Sequence, residues 1–302
     1  MRVFVTGATG FVGSAVVEDL LQAGHQVLGL ARSDQAAATL TGLGAAVQRG
    51  SLLDIDSLVA GAKSCDGVIH TAFIHDFSNM PESAKADLAA IEAIGAALAG
   101  SGKPFVVTSA IGILQPGRLS VEGDAPMAGS AGSYRIPSEL AALALGGQGV
   151  RASVVRLPPS VHGDGDHGFV PALIGIARKQ GSSAYIGDGM TRWPAVHRRD
   201  AARLYRLALE SGAAGSVYHA TAQEGVATRE IAAVIGRRLA VPVVGVSADR
   251  AAEHFGFMGR FFGMDCPASS EQTRRQLGWL PAHPGLLEDM DREAYFAAGP
   301  NP

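Results

Sequence analysis

Thr6-Gly7-Ala8-Thr9-Gly10-Phe11-Val12-Gly13 follows the short apolar run Val3–Val5 and opens a helical pattern, Gly13–Ala23. Its spacing is G-x-x-G-x-x-G. Glycines at these places let the backbone turn tightly and approach a pyrophosphate. The N–H groups and the positive end of the following helix can then hold the negative charge. With 39 glycines in the chain a chance triplet is easy, so the motif draws its weight from its position between a strand and a helix.

The same alternation continues outward. Strand patterns lie at Gln26–Leu30, Ala46–Arg49, Gly67–Thr71, Phe105–Thr108, Ser153–Leu157 and Ser216–Ala220. Helical patterns lie between them, at Gln35–Leu43, Ile55–Ala62, Ala86–Ala99 and Ser138–Leu145. The strand runs are short and almost wholly apolar, as strands buried on both faces are. This order predicts an α/β fold, a doubly wound parallel Rossmann-like sheet with a smaller C-terminal substrate lobe. After about residue 160 the rhythm loosens into helical patterns at Phe169–Lys179, Asp200–Glu210 and Thr228–Leu239. The expected division is a nucleotide-binding domain over 1–160 and a lobe over 161–302, with 195–221 returning to the sheet.

Composition excludes several classes. The 302 residues are 47% apolar and 18% charged, which is globular rather than disordered. Net charge is −3 and no long Lys/Arg run occurs, so neither nucleic acid nor an acidic membrane is the expected partner. Cys65 and Cys266 stand far apart, which argues against a disulfide framework or a zinc site. No signal-peptide series and no bilayer-length apolar run are present, and a cytoplasmic location is expected.

Read further, the glycine loop resembles the opening of extended and atypical short-chain dehydrogenases/reductases, a group that is NAD-dependent epimerase/dehydratase-like. The resemblance runs nearly the full length. Val68-Ile69-His70-Thr71-Ala72 is similar to the V-I-H-x-A ending the fourth strand, and Val106–Ala110 to the fifth strand leading to an active-site serine. Arg156–Gly163 resembles the R-P-x-x-V-Y-G-P turn under the nicotinamide. Val196–Ala202 resembles V-H-V-x-D-x-A, and Leu277–Pro281 resembles L-G-W-x-P.

The resemblance implies cofactor contacts at Gly7, Thr9, Gly10, Phe11, Val12 and Gly13, then at Thr71, Ala72, Phe73, Thr108, Pro158 and Val161. At the end of the second strand an acid would bond the 2′-hydroxyl of NAD, whereas an Arg accommodates the 2′-phosphate of NADP. Arg32 and Ser33 stand there, and NADP(H) is the expected cofactor. After the third strand the family's Gly-Asp is replaced by Gly50-Ser51-Leu52, so Ser51 and Leu52 would meet the adenine with a weaker contact.

The catalytic pattern is irregular. The family pairs a Tyr with a Lys four residues later and adds a Ser at the substrate oxygen. Here Tyr134 is followed at that spacing by Ser138, which supplies no positive field. In a second register Arg135 takes the Tyr position and Glu139 the Lys position. Pro137 suits only a first helical turn, which puts Tyr134 ahead of the helix. The family's Ser falls at Ala110, and Ser109 would face the other side of a regular strand. Tyr134, Ser109 and Ser138 are the expected catalytic set, with His75 or Asp76 next as proton donor. The plain structural alternative pairs Arg135 with Glu139 at i+4.

The loop Ala72–Phe77 follows a strand at the ligand edge, so His75 and Asp76 are expected on the substrate side. His162–His167 is read as a substrate-side loop; it lacks metal-ligand spacing and no metal is expected. Gly187–Trp193 resembles the segment carrying a substrate-contacting Arg in sugar-nucleotide enzymes, and Trp193 would wall an apolar substrate or fill the lobe core. Phe255, Phe257, Phe261 and Phe262 would cover the pocket or pack helices. The helix Leu140–Leu145 suits pairing in a homodimer or packing on its own sheet. The first expectation for function is an NADPH-dependent oxidoreductase reducing a small carbonyl substrate. The alternatives are a non-catalytic NADP(H)-binding or redox-sensing protein and a sugar-nucleotide epimerase/dehydratase-like enzyme.

Overall fold

The computed structural model describes residues 1–76 and 78–297; Phe77 and residues 298–302 lie outside the described residues. Seven parallel strands form the main sheet: β1 (Arg2–Thr6), β2 (Gln26–Ala31), β3 (Ala46–Arg49), β4 (Gly67–His70), β5 (Pro104–Ala110), β6 (Arg151–Leu157) and, after three lobe strands, β10 (Ser216–His219). Their order is β10-β6-β5-β4-β1-β2-β3. All seven runs read from the sequence are in this sheet, with ends moved by no more than two residues. Order reverses between β1 and β4, which opens the crevice where such sheets take ligands.

Helices cover both faces. On one face α1 (Phe11–Gln22) and α2 (Asp34–Gly42) share a core with α7 (Arg198–Ser211), built from Val3, Val5, Val16, Leu20, Leu204 and Tyr205. On the other lie α3 (Ile55–Lys63), α4 (Met80–Leu98) and α5 (Ile136–Ala144), packed on Phe4, Val68, Phe105 and Val107. Alternate residues of one strand feed the two cores, which is why these strands are apolar throughout. Helix α4 starts six residues ahead of the expected Ala86, with Pro81 in its first turn, where a missing N–H costs nothing. Pro137 has the same place in α5.

The lobe adds α6 (Phe169–Gln180), α8 (Thr228–Leu239) and five short strands that the sequence reading did not separate. Of these, β7 (Ser160–His162), β9 (Arg192–His197) and β11 (Gln223–Ala227) form one sheet, while β8 (Ser183–Ile186) pairs with β12 (Val243–Val246). They are three to six residues long and interrupted by Gly and Pro, so no period-2 signal develops. The short helices α9 (Ala251–Phe255), α10 (Met258–Phe262), α11 (Glu271–Leu277) and α12 (Leu286–Met290) close the lobe. No helix among the described residues is long and apolar enough to cross a membrane.

Candidate active site at the carboxyl edge of the sheet

The loop between β1 and α1 is shaped by three glycines. Gly7 has φ +67°, and a Cβ there would lie 2.7 Å from the Ala72 nitrogen. A Cβ on Gly13 would lie 2.0 Å from the Gly7 carbonyl oxygen, so helix and turn can meet only through glycine. The Gly10 N–H closes the turn on the Gly7 oxygen at 2.9 Å. Gly10 is also the N-cap of α1 and offers no side chain to the first helical N–H groups, and no acid stands in the first turn. Those donors are left for an anion. Thr71 braces the loop, its hydroxyl donating to the Thr6 oxygen at 2.7 Å.

At the end of β2, the Ser33 hydroxyl accepts from the Ala36 N–H at 3.2 Å and so caps α2. Arg32 is exposed and makes no hydrogen bond or ion pair among the described residues. Asp34 opens α2 and meets Arg49 Nη2 at 2.5 Å. Past β3, Ser51 Oγ accepts from the Leu53 N–H, while Leu52 is buried and Asp54 caps α3.

Tyr134 lies in a single 3-10 turn, Ser133–Arg135, ahead of α5. Its ring is 6.2 Å from that of Phe73, which is in turn edge-on to His75 at 5.2 Å. Burial raises the Tyr134 pKa above the ordinary phenol value, against the opposing charges of Arg135 and Arg260. Arg260 is exposed and has no hydrogen bond or ion pair among the described residues.

Beneath Tyr134 runs a buried polar chain. The Arg135 guanidinium lies over the Phe73 ring at 4.1 Å, and its Nη2 donates to the Thr108 carbonyl at 2.6 Å. Nη2 is also 3.9 Å from Asp87 Oδ2. Asp87 Oδ1 lies 3.1 Å from His70 Nε2, and His70 Nδ1 lies 2.9 Å from the Thr6 hydroxyl. Burial acts to raise the Asp87 pKa, but Arg135 and the His70 hydrogen bond outweigh it and hold the carboxyl below its usual range. The structural alternative, an Arg135–Glu139 pair, is not formed: Glu139 is taken by Arg156 at 2.6 Å, which leaves Arg135 to Asp87.

The other expected residues divide. Phe73, Thr108 and Tyr134 come together around Arg135. Ser109 is still within β5 and only 3% exposed, and its hydroxyl has no hydrogen-bond partner among the described residues; Ser138 is buried in the first turn of α5, where its hydroxyl helps to lower the Asp87 pKa. Asp76 is an exposed loop cap that accepts from the Ser78 N–H and hydroxyl. His162 is buried, its Nδ1 2.8 Å from Asp289, with no open surface toward substrate. Trp193 belongs to the lobe core, between Phe169 and Phe262, with its indole N–H on the Phe261 oxygen. Arg192 is tied to Asp265 at 2.8 Å. Asp87 gave no motif in the sequence; its one signal is a carboxylate at helical spacing from the buried Ile91 and Ile94.

Residues 3–221 match the NAD dependent epimerase/dehydratase family. The chain is 51% identical over 301 residues to the uncharacterized protein C2A9.02 of Schizosaccharomyces pombe, covering 98% of this chain and 100% of that one. The structure resembles dTDP-glucose 4,6-dehydratase of Streptomyces venezuelae with NAD bound, with a TM-score of 0.78 at 20% identity over 98% of this chain and 97% of that one. It also resembles the Thermus thermophilus UDP-glucose 4-epimerase complex with NAD, with a TM-score of 0.77 at 21% identity over 99% and 100%. These findings correct the expected NADP(H): the matching family is NAD dependent and both solved structures hold NAD. At the same turn Ser33 is engaged as the α2 cap and Asp34 is paired with Arg49. The expectation of an NADPH-dependent carbonyl reductase falls with that cofactor, and the epimerase/dehydratase alternative is the one favoured.

Proposed function

The chain belongs to the NAD dependent epimerase/dehydratase family, and we propose that it is an NAD-dependent enzyme of epimerase or dehydratase type acting on a sugar nucleotide. The observation that carries this reading is the uncapped N-terminus of α1 behind Gly7 and Gly13. A Cβ on either glycine would strike backbone, and the helix presents free N–H groups at the switch point of the sheet. These residues fit a dinucleotide pyrophosphate. Bound there, NAD would supply a reversible hydride acceptor, so that a hydroxyl-bearing carbon can be oxidised and reduced again.

Around that site, Tyr134 is the phenol placed to hold or release the proton of the substrate hydroxyl. The half-buried Phe73 ring lies beside it. Arg260, exposed near Tyr134, suits the phosphates of a sugar nucleotide better than an uncharged carbonyl compound. Arg192 suits them less, since Asp265 already neutralises it. The test is incubation with NAD and either UDP-glucose or dTDP-glucose in deuterated water, followed by NMR of the sugar. An epimer, or loss of water with deuterium incorporation, is expected. An unchanged sugar in the presence of bound NAD would reject this substrate class.

A further inference from the structure

The reaction site lacks the lysine that would give it a fixed positive charge, yet a buried cation is present one residue after Tyr134. We propose that Arg135 is the positioning residue that takes over this electrostatic task, held from below by Asp87, Thr108 and Phe73. The proposal rests on the functional reading above for its purpose, but not for its geometry.

Arg135 is only 7% exposed. Its plane is fixed by the Phe73 ring at 4.1 Å and by the Thr108 carbonyl at 2.6 Å. Asp87 lies 3.9 Å from the same Nη2, close enough to balance the buried charge without a tight hydrogen bond. Nε is buried and has no hydrogen-bond partner, and Nη1 makes no hydrogen bond among the described residues. A buried guanidinium with unused donors is costly unless a further acceptor arrives. The ribose hydroxyls of the dinucleotide or the oxygen of the substrate are such acceptors. Glu139, the one acid that could have drawn Arg135 along its own helix, is committed to Arg156.

The substitution has a chemical consequence. A lysine can pass a proton, whereas an arginine stays charged throughout the accessible range. Arg135 therefore provides a field and donors only, and the proton released by Tyr134 must go to solvent or substrate. The charged and titratable groups facing this centre are Arg135 and Arg260 beside Tyr134, His75 across Phe73, and Asp87 with His70 beneath. Arg135 lowers the phenol pKa against its burial.

The experiment replaces tyrosine by fluorotyrosine, whose lower intrinsic pKa brings the titration into the stable range, and follows it by fluorine NMR. Tyr134→Phe assigns the resonance. Arg135→Met should raise the Tyr134 pKa by on the order of one pH unit, and Arg135→Lys should keep it near the wild-type value. Because Arg135→Met leaves Asp87 uncompensated, Arg135→Met with Asp87→Asn is measured beside it and should show the same rise. An unchanged Tyr134 titration in a folded Arg135→Met or double variant would overturn the proposal. NAD calorimetry on the same samples reports the functional reading separately: absent NAD binding with a shifted titration would reject that reading and leave Arg135's role intact.

Discussion

Arg156 and Glu139 meet in a buried two-point contact, with Nη2 2.6 Å from Oε1 and Nε 3.2 Å from Oε2. The contact ties β6 to α5, the helix that follows Tyr134, and leaves Arg135 free for Asp87. Removing one partner strands the other charge in a low-dielectric interior. Glu139→Gln should therefore cost about 3–5 kcal/mol, read by urea denaturation. A loss below about 1 kcal/mol, the scale of a surface pair, would show that the contact does not hold this helix.

Stability should fall on mild acidification. Burial, helped by His283, pushes the His197 pKa down to about 4, and burial with the Arg156 charge pushes His219 down to about 3. Both rings accept hydrogen bonds as neutral imidazoles, His197 from the Arg199 N–H and His219 from Arg156 Nη1. In the unfolded chain each titrates near about 6.5, so below that pH the unfolded state binds protons that the folded state refuses. Their contribution is complete above about pH 6.5 and declines toward the folded values. Asp166, raised by burial to about 6, acts in the opposite direction between that pH and the ordinary carboxylate range, and offsets part of the loss. Tm should drop between about pH 6.5 and 4.5, and His219→Asn should flatten the drop. A constant or rising Tm over that window would contradict the two buried neutral histidines.

Tyr134→Phe should reduce turnover by about 10²–10⁴-fold, the usual worth of a positioned acid or base, with NAD affinity nearly unchanged. The wild-type rate should climb toward alkaline pH, because burial holds the phenol above its ordinary pKa. Full activity in the Phe variant would move the proton to another group, with His75, edge-on to Phe73 at 5.2 Å, the next candidate.

Much of this was legible in the sequence. The apolar strand runs and the glycine loop specified the sheet and its ligand edge, because parallel strands buried on both faces leave an unambiguous pattern. The site was less legible. Arg135 looked like half of an i+4 pair with Glu139, since helix spacing is visible in a sequence and the Arg156 side chain crossing from β6 is not. Asp87 lies seventeen residues from His70, and only the return of α4 along the face of the sheet brings them together. Trp193 read equally as pocket wall or core; its indole N–H on the Phe261 oxygen places it in the core. Arg32 and Ser33 suggested a phosphate site by residue type, but the serine is used to cap α2.

Arg32→Ala should change NAD affinity by less than about threefold, since an exposed side chain without a partner contributes little. A loss of tenfold or more would show that Arg32 grips the adenosine end of the cofactor after all.

An NAD site at the uncapped end of α1 is read out by calorimetric titration of the wild type and Gly13→Ala with NAD and with NADP. The folded wild type should bind NAD more tightly than NADP. Gly13→Ala, whose Cβ would stand 2.0 Å from the Gly7 oxygen and force turn and helix apart, should lose both. Tighter NADP binding in the wild type, or unchanged NAD binding in Gly13→Ala, would contradict it.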